Sequence, residues 1–250
     1  MSLLPKKKER QSFHFQELIH LYYGAPGVGK TTFASELPED NLFIATEDGQ
    51  RALEVFNVRI DTWEEFLKVI SAFEKGEGEN FRSITIDTVD NLMNFCEDYV
   101  CKKHRITHMS DEEWGKGWSA LKNEFKRAIS LIQKLKKGIV FISHAKEVEV
   151  KTRSLKINKW IPTFSKQCRD VVIPLVDEMF FFTVKEALRD KKIVSDRLVY
   201  TQPGETWEAK DRLACFPYEM PMDCLEFINI YNNKYSSKEP KKIKRVKKQK

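Results

Sequence analysis

The sequence predicts an α/β fold with a mostly parallel central sheet, flanking helices and an antiparallel C-terminal extension. Two observations predict it. A glycine-rich loop at residues 24–31 stands between an apolar run typical of a buried strand and a short segment typical of a helix. Further apolar runs that end in polar side chains then alternate with amphipathic segments of helical spacing. This alternation is typical of parallel βαβ units.

The glycine-rich loop fits the G-x-x-x-x-G-K-[ST] pattern at every fixed position. Its backbone N–H groups can face a phosphate chain at a helix N-terminus, where Lys30 adds a positive charge and Thr31 can ligate Mg²⁺. We therefore predict a nucleotide site with ATP and Mg²⁺ as ligands. Its predicted residues are Gly24, Ala25, Pro26, Gly27, Val28, Gly29, Lys30, Thr31 and Thr32.

Composition bounds the class of protein. A chain of 250 residues that is 41% hydrophobic can form one α/β domain with a full core. It has no apolar run long enough for a membrane span, and its five cysteines, an odd number, argue against a disulfide framework. We expect a soluble cytoplasmic protein with reduced thiols and no membrane partner.

The positive charge lies at the end of the chain. Residues 236–250 hold eight Lys/Arg and one Glu, whereas the whole chain carries a net charge of +6. We predict a basic arm at residues 1–17, an ATPase domain at 18–235 and a disordered basic tail at 236–250. The tail is either a nucleic-acid tether or a solubilising segment.

Acidic side chains follow two predicted strands. Glu47 comes after the strand at residues 41–46, and Asp87 ends the strand at residues 83–87. Ligands of open α/β sheets bind at the carboxyl ends of the strands, so both side chains are directed towards the nucleotide. We predict Glu47 as the general base, with a helix cap or surface charge as its alternative. Asp87 is predicted to hold Mg²⁺ through water, supported by Asp90.

Two helices are predicted around a longer connection. The first, near residues 61–73, has capping-box spacing and an apolar face; the second covers residues 121–135 after a turn at 115–118. Between them lie Cys96, Cys101, His104 and His108. Their spacing matches no zinc-binding pattern of four ligands, so incidental Cys and His are favoured over a metal site.

Another apolar strand, residues 139–142, leads into Ser143 and His144. If this strand lies between those of the phosphate loop and Asp87, His144 can read the γ-phosphate or its attacking water, as a third catalytic residue beside Lys30 and Glu47. Its alternative role is to cap the strand.

A predicted hairpin follows, with apolar and polar residues alternating on both sides of residues 152–154. Positive charge can track a phosphate backbone while aromatic faces stack on bases, so this hairpin is the first choice for single-stranded DNA; a solvated hairpin is the alternative. The candidate DNA-binding residues are Lys151, Arg153, Lys156, Lys159 and Trp160, with Phe164 as a second aromatic.

The last predicted elements are strands at residues 177–183 and 197–201, paired antiparallel, and a helix at 225–231. Lys210 and Arg212 lie between them. They are candidates for a cationic finger that reaches the γ-phosphate of a neighbouring subunit, with surface charge as the alternative.

The chain resembles RecA/RadA-like P-loop ATPases, and more closely the small phage-encoded AAA-type proteins proposed as RecA-like single-strand annealing recombinases. The resemblance covers about residues 18–213 and rests on residues 24–32, 43–49, 84–90, 115–118, 141–147 and 209–212. It implies a RecA-type core, with Glu47 as the water-activating glutamate and His144 at the position that couples ATP to a following DNA-binding loop. RecA commonly has glutamine there.

These expectations combine into an ATPase that couples its nucleotide state to single-stranded DNA in recombination or annealing. We also expect a homo-oligomer on DNA and a partner such as a single-strand-binding protein or another recombination protein. Two alternatives remain open. One is a P-loop small-molecule kinase, and the other is a DNA-replication accessory or loader that ATP switches without significant turnover.

Overall fold

The computed structural model describes residues 14–38, 40–151, 155–189 and 192–235. The strands are β1 (Ile19–Gly24), β2 (Asn41–Ala45), β3 (Phe56–Arg59), β4 (Ser83–Asp87), β5 (Gly138–Lys151), β6 (Lys156–Pro162), β7 (Glu178–Arg189), β8 (Lys192–Tyr200), β9 (Lys210–Asp211) and β10 (Glu219–Pro221). The α-helices are α1 (Lys30–Ser35), α2 (Trp63–Glu74), α3 (Val89–His104), α4 (Lys116–Lys134), α5 (Lys166–Leu175) and α6 (Cys224–Tyr235). The predicted basic tail and most of the predicted N-terminal arm lie outside these residues.

The strands form one sheet in the order β10-β8-β7-β1-β5-β4-β2-β3, with β6 paired to β5 and β9 to β7. The strands from β7 to β3 in this order pair in parallel, whereas β6, β8, β9 and β10 pair antiparallel. The predicted fold class is confirmed, including the antiparallel C-terminal strands. β5 lies between β1 and β4, which is the order that the His144 prediction requires.

The sheet is covered on both faces. In β1, Leu21 and Tyr23 pack with helices α2 to α5, while Tyr22 packs with α1 and α6 on the opposite face. Successive side chains of a strand point to opposite faces, and a strand buried on both faces therefore reads as a continuous apolar run. Within the described ranges, no helix is long and apolar enough to cross a membrane.

Helix α2 begins as its sequence predicts. The side chain of Thr62 accepts a hydrogen bond from the backbone N–H of Glu65 at 3.2 Å, and the Glu65 carboxylate accepts one from the Asp61 N–H at 2.8 Å. Two backbone donors that the first helical turn leaves unpaired are thereby satisfied. Phe66 and Ile70 are buried on the inner face of the helix.

Two local predictions need correction, and one strand was not predicted. The turn at residues 115–118 is confined to Gly115, which has φ 72°, because α4 begins at Lys116. Gly117 lies in the first turn of α4, where a Cβ atom would stand 2.3 Å from the Met109 carbonyl oxygen. Phe164 is a buried core residue and not a stacking platform. The edge strand β3 was not predicted, because it has only four residues and they are largely exposed.

Two strands run beyond the phosphate-loop end of β1. His144 of β5 and Phe182 of β7 are both in register with Gly24, and each strand continues for seven further residues. At about 3.3 Å per residue, each extension is roughly 23 Å long. We call residues 145–151 with 156–161 the β5–β6 arm, and residues 183–189 with 192–198 the β7–β8 arm. The predicted hairpin is therefore confirmed, and a second one stands on the other side of β1.

Candidate functional site

The phosphate loop has the order strand, loop and helix that its motif requires. Gly27 and Gly29 have φ values of 74° and 113°, in the left-handed region that glycine adopts without strain. At Gly24 the backbone approaches β7 so closely that a Cβ atom would lie 2.3 Å from the Phe182 carbonyl oxygen. Glycines therefore allow both the turn and the close packing of the loop against the sheet.

Lys30 lies inside this loop with only 5% of its surface exposed. Its Nζ donates to the carbonyl oxygens of Gly24 and Ala25, both at 2.9 Å. Burial lowers the pKa of Lys30, and the nearby carboxylates of Asp87 and Glu47 act in the opposite direction. The ammonium group is thus held at the mouth of the loop, where a phosphate chain would meet it.

Asp87 and Thr31 meet beside Lys30. The Thr31 hydroxyl donates to Oδ2 of Asp87 at 2.9 Å, whereas the buried Oδ1 has no hydrogen-bond partner among the described residues. Burial raises the pKa of Asp87 to about 6, against the opposing effect of the Thr31 hydrogen bond. Hard oxygen donors with a free carboxylate oxygen fit Mg²⁺, which Thr31 and Asp87 would hold.

The segment after β2 closes over this pair. A Cβ atom on Gly49 would lie 3.5 Å from Oδ2 of Asp87 and 3.6 Å from the Thr31 hydroxyl. Gly49 was not among the predicted site residues. The absence of a side chain there leaves space beside the two predicted metal ligands.

Glu47 and His144 are brought together from neighbouring regions of the sheet. Nε2 of His144 lies 3.6 Å from Oε2 of Glu47, and the Asn91 side chain donates to the same oxygen at 3.5 Å. The close contact with His144 lowers the pKa of Glu47, and the same contact raises the pKa of His144. The candidate base and the candidate sensor are therefore direct partners. Asn91 was not predicted, because its contact depends on how α3 leaves β4.

Asp90 contacts the root of the β5–β6 arm, and its support of Asp87 stays a prediction. Its carboxylate accepts a hydrogen bond from the Thr163 hydroxyl, immediately after β6. The backbone N–H of Thr163 donates to the carbonyl of His144 at 3.0 Å. Asp90 and Thr163 therefore fasten the root of the β5–β6 arm to the start of α3, next to the phosphate site.

The candidate DNA-binding residues divide between two faces of the β5–β6 arm. Lys156 and Trp160 share a face with Glu147 and Glu149, and Lys156 forms an ion pair with Glu149 at 3.2 Å. Lys159 is on the opposite face, which it shares with Lys146, Val148, Val150, Ile157 and Ile161. Lys151 lies on the Trp160 face, and Arg153 lies outside the described residues.

Trp160 is 37% exposed and belongs to an aromatic cluster. Its ring centroid lies 6.3 Å from that of Phe181 in β7, and its backbone N–H donates to Thr206 O at 2.8 Å. Trp207 stacks on Tyr200 of β8 with ring centroids 4.0 Å apart. This cluster connects the roots of the two arms.

Lys210 and Arg212 are engaged within the chain. The Lys210 ammonium donates to the carbonyls of Ile173 and Val176, and Arg212 forms an ion pair with Asp177 at 2.8 Å. β9 pairs with Glu178 and Met179 at the start of β7, before Phe182, which is in register with Gly24. A role in a neighbouring subunit stays a prediction and would require these bonds to break.

The predicted Cys/His stretch is dispersed. Cys96 is fully buried in the core, and His104 pairs with Glu112 at 3.6 Å. Within residues 14–38, 40–151, 155–189 and 192–235, no three His, Cys, Asp or Glu side chains lie close enough to hold a metal ion.

Comparison with known proteins gives three findings. A family model described as an AAA domain matches residues 16–213. The SPbeta prophage-derived uncharacterized protein YorG of Bacillus subtilis (strain 168) is 25% identical over 177 residues, which are 69% of this chain and 52% of that protein. The chain thus spans about half the length of this curated relative. A KaiC-like protein of Pyrococcus horikoshii OT3 aligns at 13% identity and a TM-score of 0.44, over 76% of this chain and 80% of that one.

Proposed function

This chain belongs to the AAA domain family, and from that premise we propose that it is a Mg²⁺-dependent ATPase that couples its nucleotide state to binding of single-stranded DNA. One observation carries the ATPase assignment. Lys30, Thr31, Asp87 and Glu47 converge at the carboxyl edge of the sheet, with His144 touching Glu47 from the strand between β1 and β4.

In this proposal, Lys30 and the amides of the phosphate loop neutralise charge on the phosphate chain. Thr31 and Asp87 would hold Mg²⁺, which would supply further positive charge beside the phosphate chain. Glu47 orients a water molecule and takes its proton while the water oxygen bonds to the γ-phosphorus. The bond between that phosphorus and the β–γ bridging oxygen breaks, and ADP leaves with its electron pair.

The proposed coupling to DNA runs along β5. His144 pairs with Glu47 and belongs to the strand that continues into the β5–β6 arm. A change at Glu47 when the γ-phosphate binds or leaves would alter the His144 contact, and Thr163 would transmit it to β6. The coupling is thus assigned to a continuous set of contacts whose two ends are the nucleotide and the arm.

The face of Lys159 and Lys146 is the better candidate for the DNA backbone, because their two positive charges share it with apolar side chains and no carboxylate among the described residues. On the Trp160 face, Glu147 and Glu149 balance Lys151 and Lys156. Trp160, which is 37% exposed, then serves for base stacking at the root of the arm.

The proposed setting is recombination or annealing of phage type, on a homo-oligomer assembled along DNA and assisted by a single-strand-binding or other recombination protein. The prophage origin of the Bacillus subtilis relative supports this setting. The proposed location is the host cytoplasm.

Measuring phosphate release from ATP with and without single-stranded DNA tests this function, with Lys30→Ala as the inactive control. We expect Mg²⁺-dependent turnover that DNA increases. Phosphate transfer to a nucleoside, without any effect of DNA, would instead favour a small-molecule kinase. ATP binding without turnover, even with DNA present, would favour a loader that ATP switches.

A further inference from the structure

A cation of the β7–β8 arm lies against the phosphate loop. A Cβ atom placed on Gly29 would stand 3.5 Å from Nη1 of Arg197 and 3.0 Å from the sulfur of Met222. Gly29 immediately precedes Lys30, and its backbone is part of the loop that faces the phosphate chain. The guanidinium of Arg197 is therefore beside the loop and not at the distant tip of the arm.

The fold fixes Arg197 on the correct face of the sheet. It pairs with Val184, two residues beyond Phe182, which is in register with Gly24. Val199, two residues later on β8, packs in the cluster that also holds the α1 residues, so Arg197 points to the side of α1. The Arg197 carbonyl accepts a hydrogen bond from the Met222 N–H at 3.2 Å, which holds both residues at this edge.

Arg197 is exposed, and its guanidinium forms no ion pair or hydrogen bond with any other residue that the structure describes. By contrast, the exposed Arg59 and Arg212 are both paired with aspartates. A diphosphate or triphosphate group needs hydrogen-bond donors and positive charge around it. An unpaired guanidinium beside a loop of phosphate-binding amides can supply both.

We propose that Arg197 is a second phosphate-binding cation of the nucleotide site, supplied in cis by the β7–β8 arm. Its ligand is the phosphate chain of a nucleoside di- or triphosphate, at the phosphate next to Gly29. The inference rests on the proposed nucleotide site and adds to it a residue of the second arm. Met222 packs against Gly29 and supports the position of that arm.

Titration of fluorescent AMP, ADP and ATP analogues against wild type and Arg197→Ala tests the assignment. We expect about tenfold weaker binding of ADP and ATP, since a hydrogen bond to a charged group is lost, with AMP unaffected. Lys185→Ala is the matched control. Lys185 lies opposite Asp196 in the register of β7 and β8, so its side chain points to the face of the arm opposite to that of Arg197. That variant should bind all three nucleotides as wild type does.

Unchanged ADP affinity in Arg197→Ala, or an equal loss for AMP, would overturn the proposal. The melting temperature without nucleotide should match wild type, while the rise produced by saturating ADP should be smaller than in Lys185→Ala. A smaller rise in both variants would also overturn it. If wild type binds no nucleotide at all, the proposed function itself fails. If wild type and Arg197→Ala bind nucleotide equally well, only the assignment of Arg197 fails.

Discussion

The β5–β6 arm and the β7–β8 arm leave the sheet on opposite sides of the phosphate loop and extend equally far, but they reach the site through different chemistry. At the root of the first arm, His144 contacts the carboxylate of Glu47, the group proposed to activate water. On the second arm, Arg197 lies beside Gly29, where phosphate is proposed to bind. The two arms thus have the same length but contact the nucleotide site through different side chains.

We therefore expect the two arms to respond to different events. The β5–β6 arm should sense the chemical step, and the β7–β8 arm should sense occupancy of the phosphate chain. The aromatic cluster of Trp160, Phe181, Tyr200 and Trp207 joins their roots. A change on one side can therefore reach the other, and variants are needed to separate the two.

The largest effect is expected from Asp87→Asn, which removes the carboxylate proposed to hold Mg²⁺. Turnover should fall by at least about a hundredfold, because the variant loses the anionic ligand for Mg²⁺. A phosphate-release assay across Mg²⁺ concentrations measures this loss. Activity that saturating Mg²⁺ restores fully would remove Asp87 from the metal site.

The same variant should be more stable without nucleotide. Because burial raises the pKa of Asp87 from 3.8 to about 6, the folded state holds a proton that the unfolded state has lost. Wild-type stability should therefore decrease as pH rises from 3.8 to about 6 and stay lower above it. Asp87→Asn should be more stable by roughly 2 kcal/mol at pH 7 and lack this decrease. Urea unfolding at pH 4 and pH 7 compares them.

Glu47→Gln should impair the chemical step, to which the β5–β6 arm is linked, without impairing nucleotide binding, to which the β7–β8 arm is linked. We expect kcat to fall by about 10² to 10⁴, as for loss of a general base, while ATP affinity is nearly unchanged. Asp48→Asn is the control, since Asp48 is exposed and pairs with Arg51 and Arg59. Full turnover in Glu47→Gln would exclude Glu47 from the chemical step.

Lys159→Ala and Lys156→Ala compare the two faces of the β5–β6 arm. A plot of log affinity for single-stranded DNA against log salt should lose about 0.7 in slope when Lys159 is removed. The slope should change less for Lys156→Ala, because Glu149 already neutralises that lysine. Equal slopes for both variants and wild type would assign DNA to another surface, such as residues 236–250.

The smallest effect concerns the ion pair itself. Since the His144 pKa is raised and the Glu47 pKa is lowered, their attraction stabilises the folded chain between the lowered pKa of Glu47 and the raised pKa of His144. It is lost when pH rises through the pKa of His144 or falls through that of Glu47. Both groups are about one-third exposed, so His144→Gln should cost only about 0.5 kcal/mol within this window. Unfolding measured at pH 6 and pH 9 tests it; an equal cost at both would contradict the pairing.

The fold and the centre of the site could be predicted because the features that indicate them lie within short, contiguous stretches of sequence. The loop at residues 24–31 is contiguous, and Glu47, Asp87 and His144 each follow an apolar run, so parallel pairing brings them to one edge. Alternation alone could also have separated Lys159 from Trp160, since neighbouring residues of a strand point to opposite faces.

Asn91, Thr163 and Arg197 could not be found in the same way. Their contacts depend on how α3 leaves β4, where β6 returns to β5, and the register of β8 with β7. Arg197 is the first residue of the strand predicted at residues 197–201, and no motif there marks it as a phosphate ligand. Only the tertiary register places it beside Gly29.

We propose that the coupling between nucleotide state and single-stranded DNA runs through His144. Its most direct test is the DNA affinity of wild type and His144→Ala, each with a non-hydrolysable ATP analogue and with ADP. Wild type should bind DNA at least about fivefold more tightly in one nucleotide state, and His144→Ala should lose that ratio. Equal wild-type affinities, or a ratio that survives in His144→Ala, would contradict the claim.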